Sequence, residues 1–163
     1  MNPEFSRRLA LAHVPAEGVA MRLEAAASDR EALSRRLGLL ALHVLQADLR
    51  LIPDEEGAIL VTGRLTAELE QECGVTLVPV HQSVAEEVAW RLLPEGVEPS
   101  DGEDDPDDIE SEQGVADLGE ALAQQLSLAI DPYPRAPGAA LPEGVDDRET
   151  HGPFAALLKL RRP

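Results

Sequence analysis

Leu45–Glu70 reads LQADLRLIPDEEGAILVTGRLTAELE. In its first half Leu45, Ala47, Leu49 and Leu51 alternate with Gln46, Asp48 and Arg50. In its second half Ile59, Val61, Leu65, Ala67 and Leu69 alternate with Thr62, Arg64, Thr66, Glu68 and Glu70. A period of two sends successive side chains to opposite faces of a strand. Each run is therefore a strand with one apolar face and one wet face. Pro53-Asp54-Glu55-Glu56-Gly57 supplies the turn between them, so the stretch predicts a β-hairpin. After a break near Cys73-Gly74 and Pro79, Val84, Val88, Trp90 and Leu92 alternate with Ser83, Ala85, Glu87 and Arg91. That predicts a third strand and hence a meander. The segment AEEVAWRLL within it also suits a helix, and both readings stand at this level.

Towards the N-terminus, Phe5, Leu9 and Leu11 share one parity and Ser6 and Arg8 the other, which predicts one strand across residues 5–14. Pro15-Ala16-Glu17-Gly18 is a turn signal. Val19, Met21 and Leu23 alternate with Arg22 and Glu24 in a second short strand. Ser28-Asp29-Arg30-Glu31 has the form of a capping box ahead of Leu33, Leu37 and Leu40. It predicts a helix over 29–39 with Arg30, Arg35 and Arg36 outward.

Towards the C-terminus, residues 95–116 are dense in acids and poor in apolar residues, which predicts an exposed flexible loop. Asp117–Pro137 then reads DLGEALAQQLSLAIDPYPRAP. Asp117 with Glu120 forms a second capping-box pattern, and Leu118, Leu122, Leu126, Ala129 and Ile130 fall on one helical stripe. Pro132 and Pro134 end the helix, because proline lacks the backbone N–H and clashes with the preceding turn. Residues 132–150 read as loop. Pro153 suits a first helical turn, predicting a short final helix that docks Phe154, Leu157 and Leu158, with Arg161 and Arg162 at its end. The fold class is α+β: an antiparallel β-meander, open or barrel-like, packed with two or three helices. Residues 1–163 form one domain, with a β-rich half over 1–94, the acidic loop over 95–116 and a helical part over 117–163.

The 163 residues carry a net charge of −17. Residues 95–117 alone hold eleven acids and no base. A charge of this sign opposes a broad grip on a phosphate backbone and favours basic partners. Most of it also serves as a solvated loop. Aromatics make up 2% of the chain, so the core is built from Leu, Val, Ile and Ala. The single cysteine, Cys73, excludes an intrachain disulfide and fits a reducing compartment. No segment reaches the roughly 18 apolar residues of a membrane span. Ser6-Arg7-Arg8 is not an export signal, because His13, Pro15 and Glu17 cut the following apolar run short.

Catalytic and metal-binding readings find little support. Cys73 and His81 are the one Cys/His pair close in sequence, and a structural cysteine is the simpler reading. His13, His43, His81 and His151 are scattered without zinc-site spacing. Asp101–Asp108 lacks the glycine and the register of an EF-hand loop. No phosphate-cradling glycine loop and no basic stripe with interleaved aromatics is present. No catalytic residue, metal ligand or cofactor is assigned.

Three stretches together resemble the YceD family of bacterial proteins linked to accumulation of large-subunit ribosomal RNA. In Gly63–Pro79 a strand runs into Cys73 and then to Leu77-Val78-Pro79. Asp117–Pro134 is similar to the family's D-L-x-E-x-L-x-x-x-L-x-L-x-x-x-P-x-P block. Gly152-Pro153-Phe154-Ala155 with Leu157 is similar to its N-P-F-A-x-L ending. Many members carry C-x-x-C at the first cysteine and a later cysteine cluster. Here Thr76 stands where the second cysteine falls and Arg135–Ala140 holds none, so no metal-binding property is carried over.

The resemblance implies a non-enzymatic, cytoplasmic bacterial factor in 23S rRNA maturation or large-subunit assembly. The expected partner is a ribosomal precursor or a basic ribosomal protein, with direct RNA contact left open. Arg7, Arg8, Arg35, Arg36, Arg161 and Arg162 are the candidates for such a contact. The expected interaction residues are Asp117, Gln124, Gln125, Asp131, Pro132, Tyr133, Pro134, Pro153 and Phe154. Two other readings stand beside this one: an acidic interaction module with a non-ribosomal partner, and an enzyme of unrecognised type using Cys73 or a carboxylate pair.

Overall fold

The computed structural model describes residues 3–100, 102–103 and 105–141. In chain order the elements are β1 (Arg8–Ala10), a single 3-10 turn (Leu11–His13), β2 (Val19–Glu24), α1 (Ala27–Leu37), β3 (Ala41–Pro53), β4 (Ile59–Glu72), β5 (Pro79–Leu93), β6 (Asp107–Glu110), β7 (Val115–Asp117) and α2 (Leu118–Ala129). One sheet has the order β2-β3-β4-β5-β6, and β1 pairs with β7 in a second, two-stranded sheet. The fold is α+β.

The hairpin is the centre of the large sheet. β3 and β4 pair antiparallel from Ala41↔Glu70 to Pro53↔Ile59, with one irregularity between Leu42 and Val44. The Asp54 carboxylate closes the turn, accepting from the Glu56 and Ala58 amides at 2.8 and 2.9 Å. β5 continues the meander from Ile59↔Leu92 to Glu72↔Pro79. The segment that also suited a helix is thus a strand. Long-range pairing with β4 overrides its helix-friendly composition.

One face of this sheet is the core. Leu45, Leu51, Val61, Leu65 and Leu92 are fully buried, together with Leu33 of α1 and Leu118, Leu122 and Leu126 of α2. Each of the α2 leucines contributes about 2 kcal/mol by leaving water. The opposite face carries Arg50, Thr62 and Arg64 in the open, the wet face that the alternation predicts.

Of the open and barrel-like forms the sheet takes the open one, with β2 and β6 at opposite edges. Several expectations need correction. The strand across 5–14 is three residues of strand followed by a 3-10 turn, with Phe5 buried ahead of it. The helix over 29–39 starts at Ala27 and ends at Leu37, with Gly38 in the left-handed region at φ 67°. Ser28 is not its cap. Ala26 has no side-chain acceptor, and Asp29 reaches back to its amide at 3.1 Å. Residues 95–116 are not all loop, since they contain β6 and most of β7. β6 runs parallel to β5, pairing Trp90↔Asp107 through Leu93↔Glu110. Arg91 makes this acidic strand tolerable: Nε and Nη2 each donate to the Asp108 carboxylate at 2.8 Å. The helix assigned to Pro153, Phe154 and the following residues, with Arg161 and Arg162, lies outside the described residues.

Candidate functional site

Asp117 organises the start of α2. Its Oδ1 accepts from the Gly119 and Glu120 amides at 3.0 and 3.2 Å, which caps the helix. The same oxygen accepts from the Arg7 amide at 2.8 Å, and Oδ2 accepts from the Ser6 hydroxyl. Burial of this carboxylate pushes its pKa up. The four donors outweigh burial and hold it below the usual carboxylate range. One side chain thus caps α2 and ties the N-terminal segment to it.

Glu120 does not complete the capping box. Its carboxylate is held by Arg36 of α1, at 2.7 Å from Nη2 and 2.9 Å from Nη1. That hydrogen bond lowers the Glu120 pKa despite partial burial. Arg36 also reaches Glu4 at 3.1 Å, so it joins α1, α2 and the N-terminal segment.

Between this junction and β6 runs an open groove of about 1640 Å³. One wall is all four residues of β6, and the other is α2 through Ala121, Gln125 and Leu128. Trp90 also contributes to the lining. Asp107, Glu110 and Glu112 are exposed there and have no ionic partner among the described residues. Leu128 stands at the same groove with 87% of its surface exposed.

The expected interaction residues fall in two places. Asp117, Gln124 and Gln125 line the groove. Gln125 Nε2 also donates to the Glu87 carbonyl at 2.8 Å, while its Oε1 is buried with no hydrogen-bond partner. Asp131, Pro132, Tyr133 and Pro134 lie past the other end of α2. The Asp131 carbonyl accepts from Gln71 at 2.9 Å and its amide donates to Gln82 at 3.2 Å. Its side chain accepts from the Tyr133 amide at 2.8 Å. Asp131 is therefore tied to the sheet, whereas Tyr133 is 80% exposed. Pro153 and Phe154 lie outside the described residues.

Cys73 explains why this second place exists. It sits in the β4–β5 turn, buried, and its sulfur accepts from the Thr76 and Ala136 amides at 3.4 and 3.3 Å. The Gly74 amide donates to the Pro134 carbonyl at 2.9 Å. The loop after α2 is thereby clipped to the turn. Hydrogen bonding from the Thr76 side chain, with the surrounding amides, brings the Cys73 thiol down to about 6 although enclosure pushes it up. His81 bonds Glu68 at 2.9 Å, not Cys73, so no Cys–His dyad forms. Among the described residues no cluster of three or more His, Cys, Asp or Glu is placed to hold a metal ion. No helix among them is long and apolar enough to cross a membrane.

The strand formed by β6 and the junction made by Arg36 escaped the sequence reading. Asp107–Glu110 is too short and too charged for an alternation signal, and Arg36 reads as one more outward arginine. Ile109, an isolated apolar residue inside the acidic run, is the one local cue.

A family model described as large ribosomal RNA subunit accumulation protein YceD matches residues 61–161. No curated protein and no solved structure matches the chain.

Proposed function

The chain belongs to the YceD family, and from that membership we propose that it supports accumulation of 23S rRNA and assembly of the large ribosomal subunit. It acts in the bacterial cytoplasm as a non-enzymatic factor, through contact with a basic ribosomal protein or a precursor particle. The family match over 61–161 carries this reading. The charge of −17 supports the protein route over a broad grip on RNA. Three of the arginines considered for RNA contact are already engaged: Arg7 with Asp29, Arg35 with Glu31, and Arg36 with Glu4 and Glu120.

Affinity purification at low salt tests the proposal. Large-subunit precursors or basic ribosomal proteins should copurify, and the protein should sediment with particles in a sucrose gradient. A protein that stays at the top of the gradient and recovers neither species is an interaction module for some other partner. Unchanged 23S rRNA levels in cells lacking the protein count against the reading as a whole.

A further inference from the structure

We propose that the free edge of β6 is a strand-addition site. An extended segment of a basic protein pairs with Asp107–Glu110 as a sixth strand, with α2 as the facing wall. The identity of the donor rests on the function proposed above, while the pairing rests on geometry alone.

β6 is the last strand of the sheet and uses one edge to pair with β5. Among the described residues nothing bonds the backbone of its other edge. All four β6 residues line the groove, whichever face their side chains take, so the free edge itself looks into it. The turn after β6 has hairpin form. Glu112 and Val115 exchange both backbone hydrogen bonds at 3.0 Å, and Gln113 and Gly114 have φ of 54° and 72°. The hairpin does not zip beyond this pair, and the strand that β7 pairs with is β1. The edge of β6 is left facing a helix across an open groove, the arrangement in which an added strand gains main-chain hydrogen bonds and side-chain contacts together.

Charge selects the occupant. Exposed edge strands are commonly guarded by charge, and here the guard is acidic throughout. A second copy of β6 would set like charges opposite one another, which opposes self-pairing. Asp107, Glu110 and the neighbouring Glu112 lack ionic partners among the described residues, so lysines or arginines of an incoming strand would pair with them. Half-buried Ile109 and exposed Leu128 offer apolar contact to the alternate side chains. The matching ligand is an extended segment that alternates basic and apolar residues.

Hydrogen exchange on the full chain, with three capped heptapeptides at low salt, tests the proposal. Saturating KVKVKVK should slow exchange at alternate amides of residues 107–110 by at least about tenfold. KVKPKVK keeps four lysines but loses a central donor, and should bind at least about tenfold more weakly. EVEVEVE should not bind. The double variant Asp107→Lys/Glu110→Lys changes two exposed positions and should reverse the preference towards EVEVEVE. Equal binding of KVKVKVK and KVKPKVK reduces the contact to simple ion pairing and overturns the proposal. So does protection of 107–110 without any peptide, whether a second copy (concentration-dependent) or the chain's own remaining residues (concentration-independent) cover the edge. No ribosomal component enters this experiment, so its failure leaves the copurification result to stand or fall separately.

Discussion

Asp117 shows how much one carboxylate can hold. It caps α2 and anchors Ser6 and Arg7 in the same stroke. Replacing it with alanine removes a helix cap, worth about 1 kcal/mol, and strands a part-buried amide at a similar cost. Asp117→Ala should therefore lose about 2–3 kcal/mol in urea unfolding. A loss under about 0.5 kcal/mol would mean that water replaces the carboxylate at both ends. Cys73 makes a pH-dependent contribution. Its thiol is lowered to about 6 in the fold, against roughly 8.5 in the unfolded chain. A lowered acid stabilises the fold when ionised, so the contribution is absent below pH 6, grows above it and is complete above roughly pH 8.5. The difference in melting temperature between the native protein and Cys73→Ser should widen across that window. A constant difference would show that the thiol stays protonated.

At the scale of elements, α2 depends on how closely it approaches the N-terminal segment. A Cβ on Gly119 would stand 2.6 Å from the Phe5 carbonyl and 2.9 Å from the Arg7 amide, both backbone atoms that cannot swing away. Gly119→Ala should cost about 1–3 kcal/mol despite the better helix propensity of alanine. A stabilised variant would show that the segment is free to move off. Docking at the other end comes from Gln71 and Gln82 on the sheet, which bind the Asp131 backbone. These contacts tie the Asp131 backbone into the support of the fold, while Gln124, Ser127, Leu128, Pro132 and Tyr133 are exposed in this region. The three meander strands and the α2 stripe were legible because each repeats its period over many residues. β6 and β7 were not, because three or four residues carry no period and their pairing partners, Trp90–Leu93 and Arg8–Ala10, are distant in sequence.

Over the whole molecule, a net charge of −17 on a 163-residue chain opposes compaction. Raising salt from about 0.05 M to about 0.5 M shortens the screening length roughly threefold. The melting temperature should rise by several degrees, and a fall would mean that the Arg36 and Arg91 ion pairs matter more than the overall repulsion. The same salt should release a basic partner, so folding and partner binding should respond in opposite directions. The amino-acid sequence by itself determined the α+β class, the β3–β4 hairpin, the capped α2 and its resemblance to YceD proteins. Those features follow from local periodicity, caps and turns, which neighbouring residues dictate to one another. Only the tertiary structure decided that the sheet stays open, that Glu120 serves Arg36 instead of its own helix end, and that the acidic stretch holds a sheet edge facing a groove. Each of those outcomes is a competition between partners far apart in the chain, and folding alone brings those partners within reach.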